Sequence, residues 1–452
     1  MPSAHTKPAR GMRDFLPEDV RRREYVIGVI ADVYRRYAFE PLETPAVENI
    51  ETLTGKYGEE GDRLIFKILK RGEEGRATGE ADLALRYDLT VPLARVAAEY
   101  RATLPRVFKR YQVQPVWRAD RPQKGRFREF YQCDVDVIGS KSLVVEAELC
   151  AAVSDVLERL GFGDFEIHLN HRQLLTALLS GAGVPPDQHG TALVAIDKLD
   201  KIGRDGVLAE LQARGIDHEA ASRVFNWLTA GSSPDWLDRL NEFFSTGGNA
   251  LGSAAIAELT EIVRLSQGTS AARYLRIEPA LARGLSYYTG AIMEVRVKDL
   301  AGSLGGGGRY DGLVGMFSGE QVPACGFSLG LERILVVMSE RQMFPTSVSG
   351  VAADVLVTQW NREEAVESLA IARDLRHAGL RVDVYPEPDK IGKQIKYAST
   401  RGIPRVVVAG DDERARGEVT VKDMASGTQR SVPRLELVDA LRAEPEGSKL
   451  NG

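Results

Sequence analysis

The sequence predicts an α+β chain: a large domain on a mainly antiparallel sheet, interrupted by a helical insertion, then a small α/β domain. Three observations predict it. The stretch Val107–Ile138 alternates polar and apolar residues on either side of a basic loop. Between about residues 185 and 268 the texture turns helical, with Gly/Ser/Pro connections such as GSSPD and STGGN. Beyond residue 354 strand and helix patterns alternate, which is the signature of a small, mainly parallel sheet. The expected divisions are 1–340 for the large domain, 341–353 for a linker and 354–452 for the small domain.

The first element is a helix over Pro17–Phe39. A proline and two acids open it, and Val26, Ile27, Ile30, Val33, Tyr34 and Tyr37 recur at helical spacing. Glu40–Val47 is extended and carries Pro41 and Pro45; because proline cannot donate to a ladder, this strand belongs at an edge or a subunit interface. Leu64–Leu69 and Ala81–Tyr87 read as strands around the polar turn Arg71–Gly79, and Thr90 caps a helix that runs through Tyr100 with Pro92 in its first turn.

The hairpin Val107–Ile138 is the centre of the chain. Gln112, Gln114 and Arg118 share one parity in its outgoing limb, and Phe130, Gln132, Asp134 and Asp136 share one in its return. Successive strand residues point to opposite faces, so one face is apolar and the other unusually polar. Arg118, Arg121, Lys124, Arg126 and Arg128 crowd its loop. A face of carboxylates and amides under an arginine-rich loop suits a zwitterion beside a polyphosphate, while the plainer reading is a solvated hairpin with an ordinary polar face.

After the hairpin come a helix over Val144–Leu160 and a strand over Phe165–Leu169. In the insertion, Ala192–Ile202, Gly206–Gly215 and Trp236–Phe244 are helical; they form either a plain helical hairpin or a lid or RNA clamp. Ala291–Val297 is a strand, and the run Gly305–Gly308, taken alone, fits a flexible loop. Cys325–Gly330 then leads into a helix from Leu331. In the small domain the strands are Asp354–Trp360, Arg381–Tyr385, Arg405–Ala409 and Val419–Lys422. Its helices are Arg362–His377, Lys390–Thr400 and Arg434–Arg442, the second made basic by Lys390, Lys393, Lys396 and Arg401.

Composition narrows the function. At 452 residues, 43% hydrophobic and 27% charged, the chain is an ordinary globular protein of two or three domains. A net charge of −5 gives no global attraction to nucleic acid, so any RNA contact must use local basic patches. The three cysteines form no CxxC pair, and the six histidines no HExxH pattern, so neither a disulfide framework nor a protein-held metal site is indicated. The start MPSAHTKPARGMRDFLPEDV has no apolar signal core, and no run of about 18 apolar residues follows it. A cytoplasmic enzyme with no membrane partner is the expectation.

Four motifs in order identify the family. RYDLTVPLAR (Arg86–Arg95), WRADRPQKGRFREFYQ in the hairpin, ARGLSYYTG (Ala282–Gly290), and GGGGRYDGL running into GFSLGLERI resemble the histidyl-tRNA synthetases, a class II aminoacyl-tRNA synthetase family, over nearly the whole chain. RGLxYY with GGRYDG is the specific signal; the class motifs are looser. The resemblance implies a class II catalytic domain, a C-terminal anticodon-binding domain and a homodimer built on the Pro17–Phe39 helix with Pro45. It further implies a two-step reaction, in which the L-histidine carboxylate attacks the α-phosphate of ATP and the adenylate is transferred to the 3′ end of tRNA(His). No enzyme nucleophile is required, so rate must come from alignment and charge neutralisation.

By the same resemblance, Arg118 and Arg283 are the catalytic arginines, on opposite sides of the α-phosphate and carboxylate. Phe130 and Arg333 sandwich the adenine, and Asp120 and Arg126 serve the outer phosphates and the Mg2+ that accompanies the nucleotide. Asp88, Thr90 and Gln132 hold the α-ammonium, Asp136 and Tyr288 the imidazole, and Tyr287 lines the pocket. Parity supports part of this independently, since Gln132 and Asp136 share the polar face.

One residue departs from the pattern: Ser286 stands where the family usually has Asp between the Leu and first Tyr of RGLxYY, which bears on hydrogen bonding around Arg283 or the tyrosine pair. The alternatives are a non-catalytic paralogue that regulates histidine biosynthesis, which typically lacks RGLxYY and the anticodon domain, and another class II synthetase such as the prolyl or threonyl enzyme. The short segment before Met12 fits a bacterial-type cytoplasmic enzyme without an RNA-binding extension, although RYDLT and REFYQCD resemble the version seen in eukaryotes and some bacteria.

Overall fold

The computed structural model describes residues 6–72, 78–123, 125–229, 235–282, 287–346, 348, 350 and 352–442. The chain folds as two compact units, Met1–Phe344 and Pro345–Gly452.

The strands of the first unit are β1 (Glu40–Pro41), β2 (Val47–Asn49), β3 (Lys67–Leu69), β4 (Ala81–Leu85), β5 (Phe108–Trp117), β6 (Glu129–Ile138), β7 (Glu166–His171), β8 (Leu275–Ile277), β9 (Ala291–Arg296), β10 (Gly305–Arg309) and β11 (Ala324–Gly330). Eight of them form one sheet in the order β1-β5-β6-β11-β10-β9-β7-β8, and β2-β4-β3 form a small separate sheet. The large sheet is antiparallel except where β1 joins β5 and β8 joins β7 at its two edges. The proline-bearing segment thus supplies an edge strand, as its missing donors require.

Hairpin β5–β6 separates its faces as alternation demands. Tyr111, Cys133, Val135 and Val137 are buried on the apolar side. The helix Pro17–Arg36 lies there too, and its Tyr34 ring stands 6.1 Å from that of Tyr111. Burying a valine such as Val135 contributes about 1.5–3 kcal/mol. That helix starts at a proline in its first turn, with Glu18 and Asp19 there and Arg35 and Arg36 in the last turn, both favourable to its dipole. It stops three residues short of the expected Phe39 because Ala38 turns left-handed (φ 60°) and Phe39 N–H bonds back to the Tyr34 carbonyl at 3.0 Å.

Two further expectations need correction. Thr90 does not cap the helix Thr90–Glu99; it is the first helical residue, and the Asp88 carboxylate accepts from Val91 N–H at 3.1 Å instead. The glycine run is not a loop but β10, paired on both sides by β9 and β11. Glycine is required there by close approach: a Cβ on Gly307 would stand 2.0 Å from the Gly326 carbonyl oxygen, and one on Gly305 2.3 Å from that of Ser328.

Between β7 and β8 the described residues are mainly helical, in Arg172–Gly181, His189–Ile196, Leu199–Ala213, His218–Thr229, Trp236–Thr246 and Ala250–Ser266. Leu199–Ala213 is broken at Gly203 (φ 69°), the gap that separates the two helices read from sequence.

The second unit holds β12 (Val355–Val357), β13 (Val382–Val384), β14 (Arg405–Val408), β15 (Glu418–Asp423) and β16 (Gln429–Pro433), in the order β13-β12-β14-β15-β16. Its first three strands are parallel, but β15 and β16 join antiparallel, so the sheet is mixed rather than mainly parallel. The polar sequence QRSVP conceals β16, which buries only Val432. Ile371, Leu375, Val355, Val407, Val419 and Leu437 form this unit's own core. Among the described residues no helix is long and apolar enough to cross a membrane.

Candidate active site

The site lies on the polar face of the large sheet, and strand register assembles it in rows. One row runs Arg110 (β5), Asp136 (β6), Gly326 (β11), Gly308 (β10), Ile292 (β9) and Asn170 (β7). The next begins Gln112, Asp134, Ser328 and Gly306, and a third holds Gln114, Gln132 and Gly330. Paired residues share a face, so the carboxylates stand beside a floor of glycines.

Asp136 is 2% exposed. Its Oδ1 accepts from the Tyr310 hydroxyl, and its Oδ2 stands 3.0 Å from the Arg110 guanidinium. Burial raises its pKa, against the pull of Arg110 and the Tyr310 bond. The carboxylate leans over Gly326: a Cβ there would come 1.8 Å from Asp136 Oδ1. On the next strand, a Cβ on Gly308 would meet the Tyr288 ring at 2.9 Å. Tyr288 therefore covers a position two strands, about 10 Å, from Asp136, with side-chain-free floor between them. Tyr287 packs against Tyr288 (centroids 5.1 Å) and Tyr310 (6.1 Å), and its phenol hydrogen-bonds the Thr90 side chain.

Asp88 closes another side. It is buried, accepts from the Tyr57 hydroxyl at 2.9 Å, and has its pKa raised by desolvation against the Val91 N–H bond and the Arg118 charge. Arg118 grips the same segment, its Nε donating to the Tyr87 carbonyl at 3.0 Å and its guanidinium lying over the rings of Tyr87 (4.3 Å) and Phe130 (5.1 Å). Its NH2 makes a long 3.5 Å contact to Gln132 Oε1, while Gln132 Nε2 donates to Ser328 Oγ at 2.7 Å. Arg118, Asp88, Gln132, Phe130 and Thr90 are thus brought together with Asp136 and the tyrosines.

The hairpin loop turns back through a Gln123–Arg126 backbone pair with Gly125 left-handed (φ 70°), which places Arg126 at its return. Asp120 offers its carbonyl to Arg128 Nε at 3.1 Å. Arg333 lies beside this loop: a Cβ on Gly125 would be 3.7 Å from the Arg333 side chain, and Arg333 donates to the Ser303 carbonyl. Its chain neighbour Glu332 is buried and accepts from Arg23 at 2.8 Å and from Tyr131 N–H at 2.9 Å, tying the first helix, β6 and the helix Leu331–Glu340 together.

Arg283 and Ser286 fall outside the described residues. The segment before them is anchored on this face, since Asn170 Nδ2 donates to the carbonyls of both Pro279 and Leu281 at 2.9 Å. Reading by motif missed Arg110, Tyr310, Tyr57 and Ser328. Tyr310 lies inside GGGGRYDGL, and Arg110 has the parity of Gln112, so both carried a signal. Gln112 and Gln114 belong to a structural network instead, with Gln114 Oε1 accepting from Arg86 at 3.0 Å and from Gln112 at 2.6 Å.

Buried carboxylates beside guanidinium groups and phenols can bind a small cationic, hydrogen-bonding molecule and fix its orientation. Cys133 and Cys325 are buried with their pKa values raised by desolvation, which leaves them poor nucleophiles. Among the described residues no group of three or more His, Cys, Asp or Glu side chains is arranged to hold a metal ion.

Comparison with known proteins places this geometry in a family. The histidyl-tRNA synthetase model matches residues 11–334, and an anticodon-binding-domain model matches residues 354–444. The histidine–tRNA ligase of Porphyromonas gingivalis is 43% identical over 442 residues, covering 94% of this chain and 96% of its own. That of Gloeobacter violaceus is 42% identical over 450 residues, covering 94% and 95%. Among solved structures, histidyl-tRNA synthetase from a Nostoc species has a TM-score of 0.80 at 32% identity, over 97% of this chain and 99% of its own. A Bacillus halodurans protein described as an ATP phosphoribosyltransferase regulatory subunit/histidyl-tRNA synthetase shares the fold, with a TM-score of 0.74 at 22% identity over 90% and 99% of the two chains.

Proposed function

The chain belongs to the histidyl-tRNA synthetase family, and from that premise we propose how its residues carry out histidine–tRNA ligation. The reaction is ATP-dependent: histidine is activated to histidyl-adenylate, and the acyl group then passes to the 3′ end of tRNA(His). The observation that carries the residue assignment is Asp136, a buried carboxylate held by Tyr310 and Arg110 and leaning over a glycine floor toward Tyr288.

An imidazole fits the gap between Asp136 and Tyr288, offering one ring nitrogen to each. Asp88, Thr90 and Gln132 ring the α-ammonium, with Tyr287 as the wall. Arg118, already flanked by Gln132 and Phe130, meets the α-phosphate and the attacking carboxylate, and Arg283 meets them from the other side. Charge that builds on the phosphoryl oxygens is then neutralised by groups fixed in advance. Phe130 and Arg333 hold the adenine; a guanidinium over a purine gains stacking and cation–π attraction. Asp120 and Arg126 serve the β- and γ-phosphates and the Mg2+ that arrives with ATP. A pocket that hydrogen-bonds its substrate's polar atoms discriminates strongly against analogues that lack them, so selectivity for histidine needs no editing domain.

The second unit presents an exposed basic face, with Lys390, Lys393, Lys396 and Arg401 on and beside the helix Ile391–Thr400, suited to the tRNA backbone. A homodimer and a cytoplasmic location complete the reading. The regulatory-paralogue alternative is disfavoured by the anticodon-binding domain at 354–444.

Pyrophosphate exchange into ATP, with each standard amino acid offered in turn, tests the assignment. Exchange is expected with histidine alone. Arg118→Ala and Arg283→Ala should each lower it by about 100-fold or more, the scale of losing one preorganised charge-stabilising donor. Exchange with a different amino acid would overturn the pocket assignment.

A further inference from the structure

We propose that Asp134 is a positioning residue for the amino acid: it holds Gln132 and Arg110 in place, and through Arg110 it sets the charge that Asp136 presents to the imidazole. This deepens the assignment above and rests on it. Asp134 is 2% exposed at the centre of the polar face, between Gln112 on β5 and Ser328 on β11. Gln132 Nε2 stands 3.4 Å from Asp134 Oδ1 while donating to Ser328 Oγ at 2.7 Å, so the amide that meets the ammonium is held from two sides. On the other side, Arg110 NH2 lies 3.0 Å from Asp136 and 3.9 Å from Asp134.

Two buried carboxylates therefore share one fully buried guanidinium, whose Nε and NH1 find no hydrogen-bond partner among the described residues. A third buried carboxylate, Asp88, faces the same space. Were all three ionised, they would exceed the charge of Arg110, and the ammonium of an amino acid whose carboxylate goes to Arg118 narrows that excess.

The surroundings of Asp134 determine how this responds to pH. Facing it are Arg110 from β5, Asp136 from β6, the Ser328 hydroxyl from β11, and Asp88 and Arg86 from the segment ahead of the helix Thr90–Glu99, while Tyr34 of the first helix acts on it from the opposite face of the sheet. Cys133 is its chain neighbour, and Tyr310 acts on it through Asp136. Burial, opposed by Arg110 and reinforced by Asp136, lifts its pKa to about 7. Below that pH the Asp134–Asp136 pair holds a proton in the empty pocket. The histidine ammonium favours the ionised form, so binding expels that proton, and affinity falls as pH drops through about 7.

The test is histidine KM in pyrophosphate exchange by the full chain, from about pH 6 to about pH 8.5, for the native protein, Asp134→Asn and Ser328→Ala. The histidine ring titrates alike in all three, so differences between them isolate the protein group. Asp134→Asn should raise histidine KM by about 10-fold or more, leave the ATP KM unchanged, and remove the part of the pH dependence centred near 7. Ser328→Ala should raise histidine KM a few-fold, by about one neutral hydrogen bond, and keep a pH dependence that moves to higher pH, because the Ser328 hydroxyl also hydrogen-bonds Asp134 and lowers its pKa. Native KM and slope in Asp134→Asn, or no effect of Ser328→Ala, would overturn the proposal. So would loss of cooperative melting in Asp134→Asn, which would make Asp134 a structural residue. Failure of the native protein to exchange with histidine at all would instead overturn the underlying assignment.

Discussion

Gly326 and Asp136 show how much one missing atom decides. Gly326→Ala would place a methyl 1.8 Å from the Asp136 carboxylate oxygen, so the carboxylate must swing away from the space facing Tyr288. Displacing a binding group by about 1 Å costs on the order of 100-fold, so histidine-dependent exchange should drop by about that much, and the melting temperature should fall as Asp136 leaves Arg110 and Tyr310. Asp134→Asn should move stability the other way. Its carboxyl has a higher pKa folded (about 7) than unfolded (3.8), so the native state holds the proton more tightly and stability falls as pH rises through that window. The variant should accordingly melt higher than the native protein at about pH 8, read by calorimetry. Parity alone placed Asp136 and Gln132 on one polar face. Arg110 escaped notice because FKRYQ reads like any charged strand edge; its burial comes entirely from neighbouring strands and the Leu89 carbonyl, which accepts from it at 3.3 Å.

Among elements, β10 was the least legible. Four glycines have no side-chain pattern, so neither periodicity nor propensity marks them as a strand. They form one because β9 and β11 approach closely from both sides. The Leu331–Glu340 helix was evident from its spacing, but its anchoring was not. Glu332 holds Arg23 and Tyr131 N–H, residues 309 and 201 positions away. Glu332→Gln leaves Arg23 a buried, unpaired cation and should cost about 3 kcal/mol or more, seen as a lower urea midpoint. Because Arg333 follows Glu332 directly, the ATP KM should rise as well.

For the whole molecule, the two units have separate cores, and the family models divide at nearly the same place, 11–334 and 354–444. The helix beginning at Pro17, together with Pro45, carries the residues expected at a homodimer interface. Light scattering should give twice the mass of one chain, and a monomeric mass would defeat that expectation. In the second unit the alternation of strand and helix was plain. The antiparallel return of β15 and β16 was not, since pairing direction is decided by connection length and partner.

Local pattern by itself marked the first helix, the hairpin and its two faces, the helix from Leu331 and the helical texture after β7, but not the helices Arg172–Gly181, His218–Thr229 and Ala250–Ser266. Each element so marked depends on residues within a turn or two of one another, where sterics and periodicity act directly. Tertiary structure alone decided the pocket. Tyr57, Asp88, Arg110, Asp136, Tyr310 and Gly326 come from distant parts of the chain, and they meet because β11 inserts between β6 and β10 in one register. A shift of one residue would turn Asp136 into the apolar core, so the site exists only through that pairing.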